Sequence, residues 1–273
     1  MRRRERIVRA LAERGELWEP APGIVGLRGG TLRRLGAIEA RIAALCARQT
    51  GDEWRVPAAL PLETLERAGY FASFPQWLTL ASHLPDDEAT LERIASDAAP
   101  ARAAAASGAP AAAALPPAVC WHVFAALAGS VVQAPRLVTA QGCCWRHEGD
   151  RHAALERGWA FTMREVVCIG TEAECLRFRD AGAEAARALA AELGLAGVVE
   201  PAEDPFFMPT GRGRALIQRL KELKQELRLD AGDGDTIAAA SFNLHERHFG
   251  EAFGIRLPDG SPAWSACIAF GIE

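Results

Sequence analysis

The chain has 273 residues, 49% of them hydrophobic and 24% charged, with a formal net charge of −4. That is enough chain for one large core or two small ones, and so mild a charge gives no global field drawing it to nucleic acid. No apolar run reaches the length of a membrane span, and seven cysteines without a Cys-x-x-Cys pair indicate neither a disulfide framework nor a zinc ribbon.

Residues 1–18 are basic, with apolar positions spaced as in an amphipathic helix. Glu5, Glu13 and Glu16 interrupt any signal or transit pattern, so the expected location is the cytoplasm. A Gly- and Pro-rich turn region covers 19–30. Leu35, Ile38, Ile42, Leu45 and Cys46 then follow the helical repeat across 31–48. Residues 54–57 read as a short strand, and Pro61 opens a helix that Gly69 stops. The aromatic stretch 70–76 reads as core, followed by a strand over 77–84. An acidic segment with a helix around 90–95 leads into 98–114, which is nearly all Ala, Pro, Gly and Ser and reads as a low-complexity loop or insert. In Leu115-Pro116-Pro117-Ala118-Val119-Cys120 the two prolines set an extended approach that delivers Cys120 into a strand or strand end.

The stretch 143–170 reads as two strands, 143–148 and 161–169, joined by a long charged loop that carries Asp150, Arg151, His152, Glu156 and Arg157. Strand alternation puts Cys144, Arg146 and Glu148 on one face, and Phe161, Met163, Glu165, Val167 and Ile169 on one face of the return strand. An Arg and two carboxylates among apolar neighbours must be paired or presented to a ligand. Thr171 and Glu174 form a capping box for a helix that runs to Leu193 and ends at Gly194. A loop with Phe206 and Phe207 covers 204–210. Residues 213–223 read as helix, and 224–229 as its continuation or as a strand. The last strands, 236–242 and 263–272, flank a turn at Pro258-Asp259-Gly260-Ser261. Between them, His245 and His248 are three apart with no helix-forming run after them, which excludes a zincin helix.

This order of helix, Pro-containing strand, Arg-x-Glu hairpin and Gly-rich last strand resembles the catalytic domain of class II aminoacyl-tRNA synthetases. The resemblance implies an α+β fold, an antiparallel β-sheet flanked by helices. Residues 31–61 then stand at the first class motif, Trp145-Arg146-His147-Glu148 through Phe161 at the second, and 266–273 at the start of the third. A narrower group is more similar: the amino acid:carrier-protein ligases, truncated homologues of the atypical zinc-containing seryl-tRNA synthetases. The marks are Leu115-Pro116-Pro117-Ala118-Val119-Cys120, Phe161-Thr162-Met163-Arg164-Glu165, Ala240-Ser241-Phe242-Asn243 with His248-Phe249-Gly250, and Ser265-Ala266-Cys267. The implied division is an N-terminal helix and turn region, 1–30, and a catalytic domain, 31–273.

The resemblance implies a zinc ion on Cys120, Glu165 and Cys267, with a fourth position open for the substrate's α-amino group. It assigns Arg146 to the ATP α-phosphate, Glu148 to the adenine or substrate amine, and Phe161 to stacking on adenine. It gives Arg157 the γ-phosphate, with Arg151 as alternative, and sets Asn243, with Asp235 as a second candidate, toward magnesium or phosphate. The implied reaction joins glycine or alanine to ATP as an aminoacyl adenylate and transfers it to the phosphopantetheine thiol of a carrier protein. A homodimer built on 31–61 is expected, and no tRNA partner, since no coiled-coil or basic appendage is present. The third motif ordinarily continues with an Arg and a helix, which this sequence does not include. A strand as apolar as 266–272 should not be left with one face uncovered, so the expectation is either an incomplete sequence or a shortened relative with weakened or lost use of ATP. Two other readings remain: a seryl-type tRNA synthetase homologue, and a non-catalytic zinc-binding paralogue acting as an interaction module.

Overall fold

The structure is a computed structural model that describes residues 2–204 and 221–273. Its first part comprises α1 (Arg3–Glu13), β1 (Leu17–Ala21), β2 (Ile24–Leu27), α2 (Gly29–Gln49), β3 (Glu53–Arg55), β4 (Leu60–Pro61), α3 (Leu62–Arg67), α4 (Tyr70–Ser73) and β5 (Thr79–Ala81). Next come α5 (Glu88–Ser96), α6 (Pro100–Ser107), β6 (Ala113–Leu115), α7 (Cys120–Ala126), β7 (Arg136–Trp145) and β8 (Ala160–Gly170). The rest is α8 (Glu172–Glu192), β9 (Gly197–Pro201), β10 (Lys224–Gly232), β11 (Asp235–Glu246), α9 (His248–Phe253) and β12 (Trp264–Gly271).

The alternation along β8 organises the layers. A seven-stranded sheet runs β3-β7-β8-β12-β11-β10-β9, antiparallel except where β3 lies parallel to β7. On one face Val166 and Cys168 of β8 join Ala266, Ile268 and Phe270 of β12. Against them pack Ile42, Leu45 and Cys46 of α2, and Phe178, Ala186 and Leu189 of α8. On the other face Val167, Ile169 and Cys267 meet Trp121 and Phe124 of α7 and Phe249 and Phe253 of α9. The capping box at the start of α8 is formed, with Thr171 Oγ1 accepting from Glu174 N and Glu174 reaching back to the Thr171 N–H. This is the α+β architecture expected, an antiparallel-dominated sheet flanked by helices.

Several local expectations change. The turn region 19–30 contains the β1–β2 hairpin. The strand expected over 77–84 shortens to β5, and Trp77 sits in a 3₁₀ turn, Pro75–Trp77, because Pro75 favours a helical start. The Ala-rich run 98–114 supplies α6 and β6; its alanines form a helix on good propensity, and β6 is the middle strand of a small sheet β4-β6-β5. Cys120 is the first residue of α7 rather than part of a strand, since the chain turns immediately after the two prolines. The strand entering the central hairpin is β7, which ends at Trp145, so Arg146 and Glu148 lie beyond the alternation that was to place them. Residues 224–229 are strand, and a short helix does start at His248. The loop with Phe206 and Phe207, and the helix expected over 213–223 up to residue 220, lie outside the described residues.

The last strand is not open on one side. Ala266 and Ile268 are 0% exposed beneath α8, while Cys267 and Ala269 are buried on the opposite face. At Gly182 of α8 an added Cβ would come within 2.1 Å of Ile268 Cδ1, so an alanine there would require the Ile268 side chain to shift.

Gly250 makes a stricter demand, because a Cβ there would lie 2.1 Å from the Ala263 carbonyl oxygen, and backbone cannot rotate out of the way. Gly250→Ala should lower stability by about 1–3 kcal/mol, the usual range for overpacking a filled interior. A urea titration that left the midpoint unchanged would show that α9 does not need this contact.

Candidate metal and nucleotide site

The six residues from Leu115 to Cys120 connect two groups of functional side chains. The Trp145 N–H donates to the Pro116 carbonyl at 2.9 Å, and Arg146 Nε donates to the Pro117 carbonyl at 2.8 Å. The Val119 N–H donates to Glu165 Oε1 at 2.8 Å, and Cys120 follows directly. The same short segment therefore touches the arginine proposed for phosphate and the carboxylate proposed for zinc.

Cys120, Glu165 and Cys267 are all buried, and a ligand atom from each lies within 4.8 Å of those of the other two. Sheet register explains two of them. Ala269 pairs with Glu165 and Cys267 with Val167 across β8 and β12, so Glu165 and Cys267 are near neighbours on the same sheet face. The N-terminus of α7 adds Cys120 from above. Burial raises the Glu165 carboxyl most, the Cys267 charge adds to it, and the Val119 N–H opposes both; the outcome is about 8. The Cys120–Cys267 contact drives the two thiols apart, Cys120 well above the ordinary thiol range and Cys267 well below it.

Glu165 Oε2 is buried with no hydrogen-bond partner among the described residues. An orphaned carboxylate oxygen in a dry site is costly, and a cation shared with two sulfurs would satisfy it. Two thiolates and a carboxylate suit zinc, and three protein ligands match a site that keeps one position for substrate.

The second group lines a cavity of about 820 Å³ that includes Arg146, Glu148, Arg151, Arg157 and Phe161. The Arg146 guanidinium lies 5.6 Å from the Trp77 ring centre and 5.4 Å from that of Phe161. The Glu148 side chain is 7% exposed and accepts from Arg157 Nη1 at 2.6 Å, with Arg151 Nη2 at 3.5 Å. Arg4 of α1 also lines the cavity, bridging Glu156 of the loop and Asp235 of the β10–β11 hairpin, the latter at 2.7 Å.

Most of the residues singled out from sequence thus fall into these two groups. Asn243 stands with the metal set instead of in the cavity lining: its Nδ2 lies 3.5 Å from Cys267 Sγ. Asp235 is occupied by Arg4. Sequence reasoning missed His245, Ser265 and Arg4. His245 was weighed only against His248, whereas strand alternation from Asn243 is the signal that would have found it.

No family model matches the chain. It is 35% identical to amino acid–(acyl-carrier-protein) ligase 1 of Bradyrhizobium diazoefficiens over 243 residues, 87% of this chain and 74% of the relative. The chain belongs to the amino acid–(acyl-carrier-protein) ligase family. Ligase 2 of the same organism is 34% identical over 257 residues, covering 92% of this family member and 76% of the relative. Among solved structures, the M. kandleri SerRS in complex with A. aeolicus tRNASec superposes with a TM-score of 0.84 at 22% identity. That match takes in all of this ligase-family chain and 56% of the SerRS chain, and it places the fold among the class II aminoacyl-tRNA synthetases.

The Glu165 carboxyl sets a pH dependence for the metal-free protein. The folded state holds this proton up to about pH 8, while the unfolded chain releases it near the ordinary value of 4.5. Between those values the folded state binds more protons, so stability falls as pH rises through the window. Thermal melts of chelator-treated protein should show that fall, and Glu165→Gln or added zinc should flatten it. A melting temperature that rises across the window in the metal-free protein, and equally in Glu165→Gln, would contradict the assignment.

Proposed function

We propose that this chain activates glycine or alanine with ATP and passes the aminoacyl group to the phosphopantetheine thiol of a carrier protein. The observation that carries the reading is the convergence of Cys120, Glu165 and Cys267, joined through residues 115–120 to the arginine of the cavity. Zinc on these three ligands would take the lone pair of an unprotonated α-amino group and so fix one end of the amino acid.

The amino acid's carboxylate oxygen attacks the α-phosphorus of ATP and pyrophosphate leaves. The carrier thiol then attacks the acyl carbon of the adenylate, giving a thioester and AMP. Arg146 is gripped by its Nε and by two rings, which leaves its terminal nitrogens for the α-phosphate, where charge develops. Phe161 offers a face to adenine, and Glu148 accepts from its amino group. In the ligand-free protein Glu148 holds Arg157 and Arg151; ATP would draw Arg157 to its γ-phosphate, with Arg151 as the alternative. Magnesium would neutralise the phosphates, as the family resemblance implies. A buried pocket can reject a larger side chain, though one methyl group is worth only about 1–3 kcal/mol. The reading includes a homodimer across the 31–61 region, residues 31–273 as the catalytic unit, and work in the cytoplasm. No described helix is long and apolar enough to cross a membrane.

The test is ATP–pyrophosphate exchange with glycine, alanine and serine, followed by transfer of labelled amino acid to a phosphopantetheinylated carrier protein and to bulk tRNA. Exchange with glycine or alanine and labelling of the carrier alone is expected. Background exchange with zinc bound would leave a non-catalytic zinc module, and labelling of tRNA would make the chain a synthetase. Arg146→Ala should reduce exchange by about 100-fold or more, the scale of losing one donor to developing charge.

A further inference from the structure

β11 contains an irregularity beside the metal set. Leu244 pairs with Ala266 and Glu246 with Ser265, so His245 is an extra residue with no partner on β12. Glu246 follows in the left-handed region at φ 53°, rare for a residue with a side chain. Such bulges bend a strand and turn a side chain toward a site.

The turned side chain is His245. Its Nδ1 lies 3.1 Å from Ser265 Oγ and its Nε2 3.6 Å from Cys267 Sγ. Phe124 and Phe249 meet the imidazole edge-on, with ring centres 5.9 and 4.9 Å away, and fix its plane. Ser265 is 1% exposed, so its hydroxyl has little access to water as a substitute partner. From the directly opposed position on β11, Asn243 brings its Nδ2 to 3.5 Å from the same sulfur and 3.1 Å from Ser241 Oγ.

We infer that Ser265, His245 and Asn243 form a positioning shell for Cys267, with His245 Nε2 and Asn243 Nδ2 both donating to its sulfur as a metal-bound thiolate. Donor assignments follow from the chemistry. A metal-bound thiolate has no proton and only accepts, so Nε2 carries the imidazole hydrogen and the unprotonated Nδ1 accepts from the Ser265 hydroxyl. Zinc with two thiolates and a carboxylate has a net charge of −1 by formal count, on three buried ligand residues. Two N–H donors spread that charge at Cys267 and hold the sulfur in place before metal arrives. Cys120, the other sulfur, has neither donor, so the two thiolates are unequal. Asn243 Nδ2 therefore serves the zinc side of the site rather than magnesium.

The inference rests on the metal reading of the site, and the experiment separates the two. Zinc affinity of the full chain is measured by competition with a chromophoric chelator for wild type, His245→Leu, His245→Gln, Ser265→Ala, Asn243→Leu and Cys267→Ser. The thiolate-to-metal charge-transfer band is recorded after cobalt(II) replacement. His245→Leu should weaken zinc binding about 10–100-fold, the usual effect of losing an outer partner, and should shift the cobalt band. Ser265→Ala and Asn243→Leu should move both in the same direction by less. His245→Gln, whose amide N–H can reach the sulfur, should restore most of the affinity. If Cys267→Ser binds zinc as tightly as wild type, the metal reading itself fails. If wild type binds zinc and loses it with Cys267→Ser, yet His245→Leu and Asn243→Leu match wild type in affinity and band, the positioning shell is overturned. Should His245→Leu not fold, Ser265→Ala decides instead: an unchanged affinity and band would overturn the shell.

Discussion

The hydrogen bond from the Val119 N–H to Glu165 Oε1 is the contact on which the site depends. It ties a carboxylate in the middle of the sheet to the segment that also supports Arg146 and begins α7. Glu165 is 1% exposed, and its second oxygen has no partner among the described residues. A fold would not retain such a group for stability alone, because burying an ionisable group with an unpartnered oxygen is unfavourable. The surrounding structure makes it tolerable: the flanking ladder of β7 and β12 keeps the backbone satisfied, and Thr139 Oγ1 donates to the Glu165 carbonyl at 2.9 Å. The carboxyl group lies in one buried cluster with the two sulfurs.

Around this point the two sheet faces differ in purpose. One face is an apolar layer closed by α2 and α8, so tightly at Gly182 that a methyl group would intrude on Ile268. The other carries the sulfurs, the carboxylate and the aromatic wall of Phe124, Phe249 and Trp121. Rigid packing on the first face gives precision to the second, since close-packed layers transmit little slack. The ion pairs at the cavity are of another kind. Arg157 and Arg151 are about half exposed where they meet Glu148, so they can be exchanged for phosphate at small cost.

Much of this was legible before any coordinates. Period-two alternation identified which residues of β8 share a face, and that face is the one bearing Glu165. The 3.6-residue repeat identified α2 and its buried stripe, and the capping box located the start of α8. The Ala-rich run misled because its composition is shared by loops and helices; pairing of β6 with β4 and β5 decided it. The strand end at Trp145 was equally hidden, since the ladder continues by one bond, Arg146 N to Trp159 O, before the loop departs.

By itself, the sequence determined the periodic elements, the family resemblance and the ligand types, because side-chain chemistry and backbone periodicity are local properties. Only the tertiary structure decided how distant residues meet. Cys120 and Cys267 are 147 positions apart in number, and nothing in their spacing pairs them; sheet register and the turn into α7 bring their sulfurs to Glu165. The placement of His245 beside the Cys267 sulfur is likewise a matter of register. Alternation from Asn243 gives its face, but that it is the unpaired residue of a bulge emerges only once both strands are aligned.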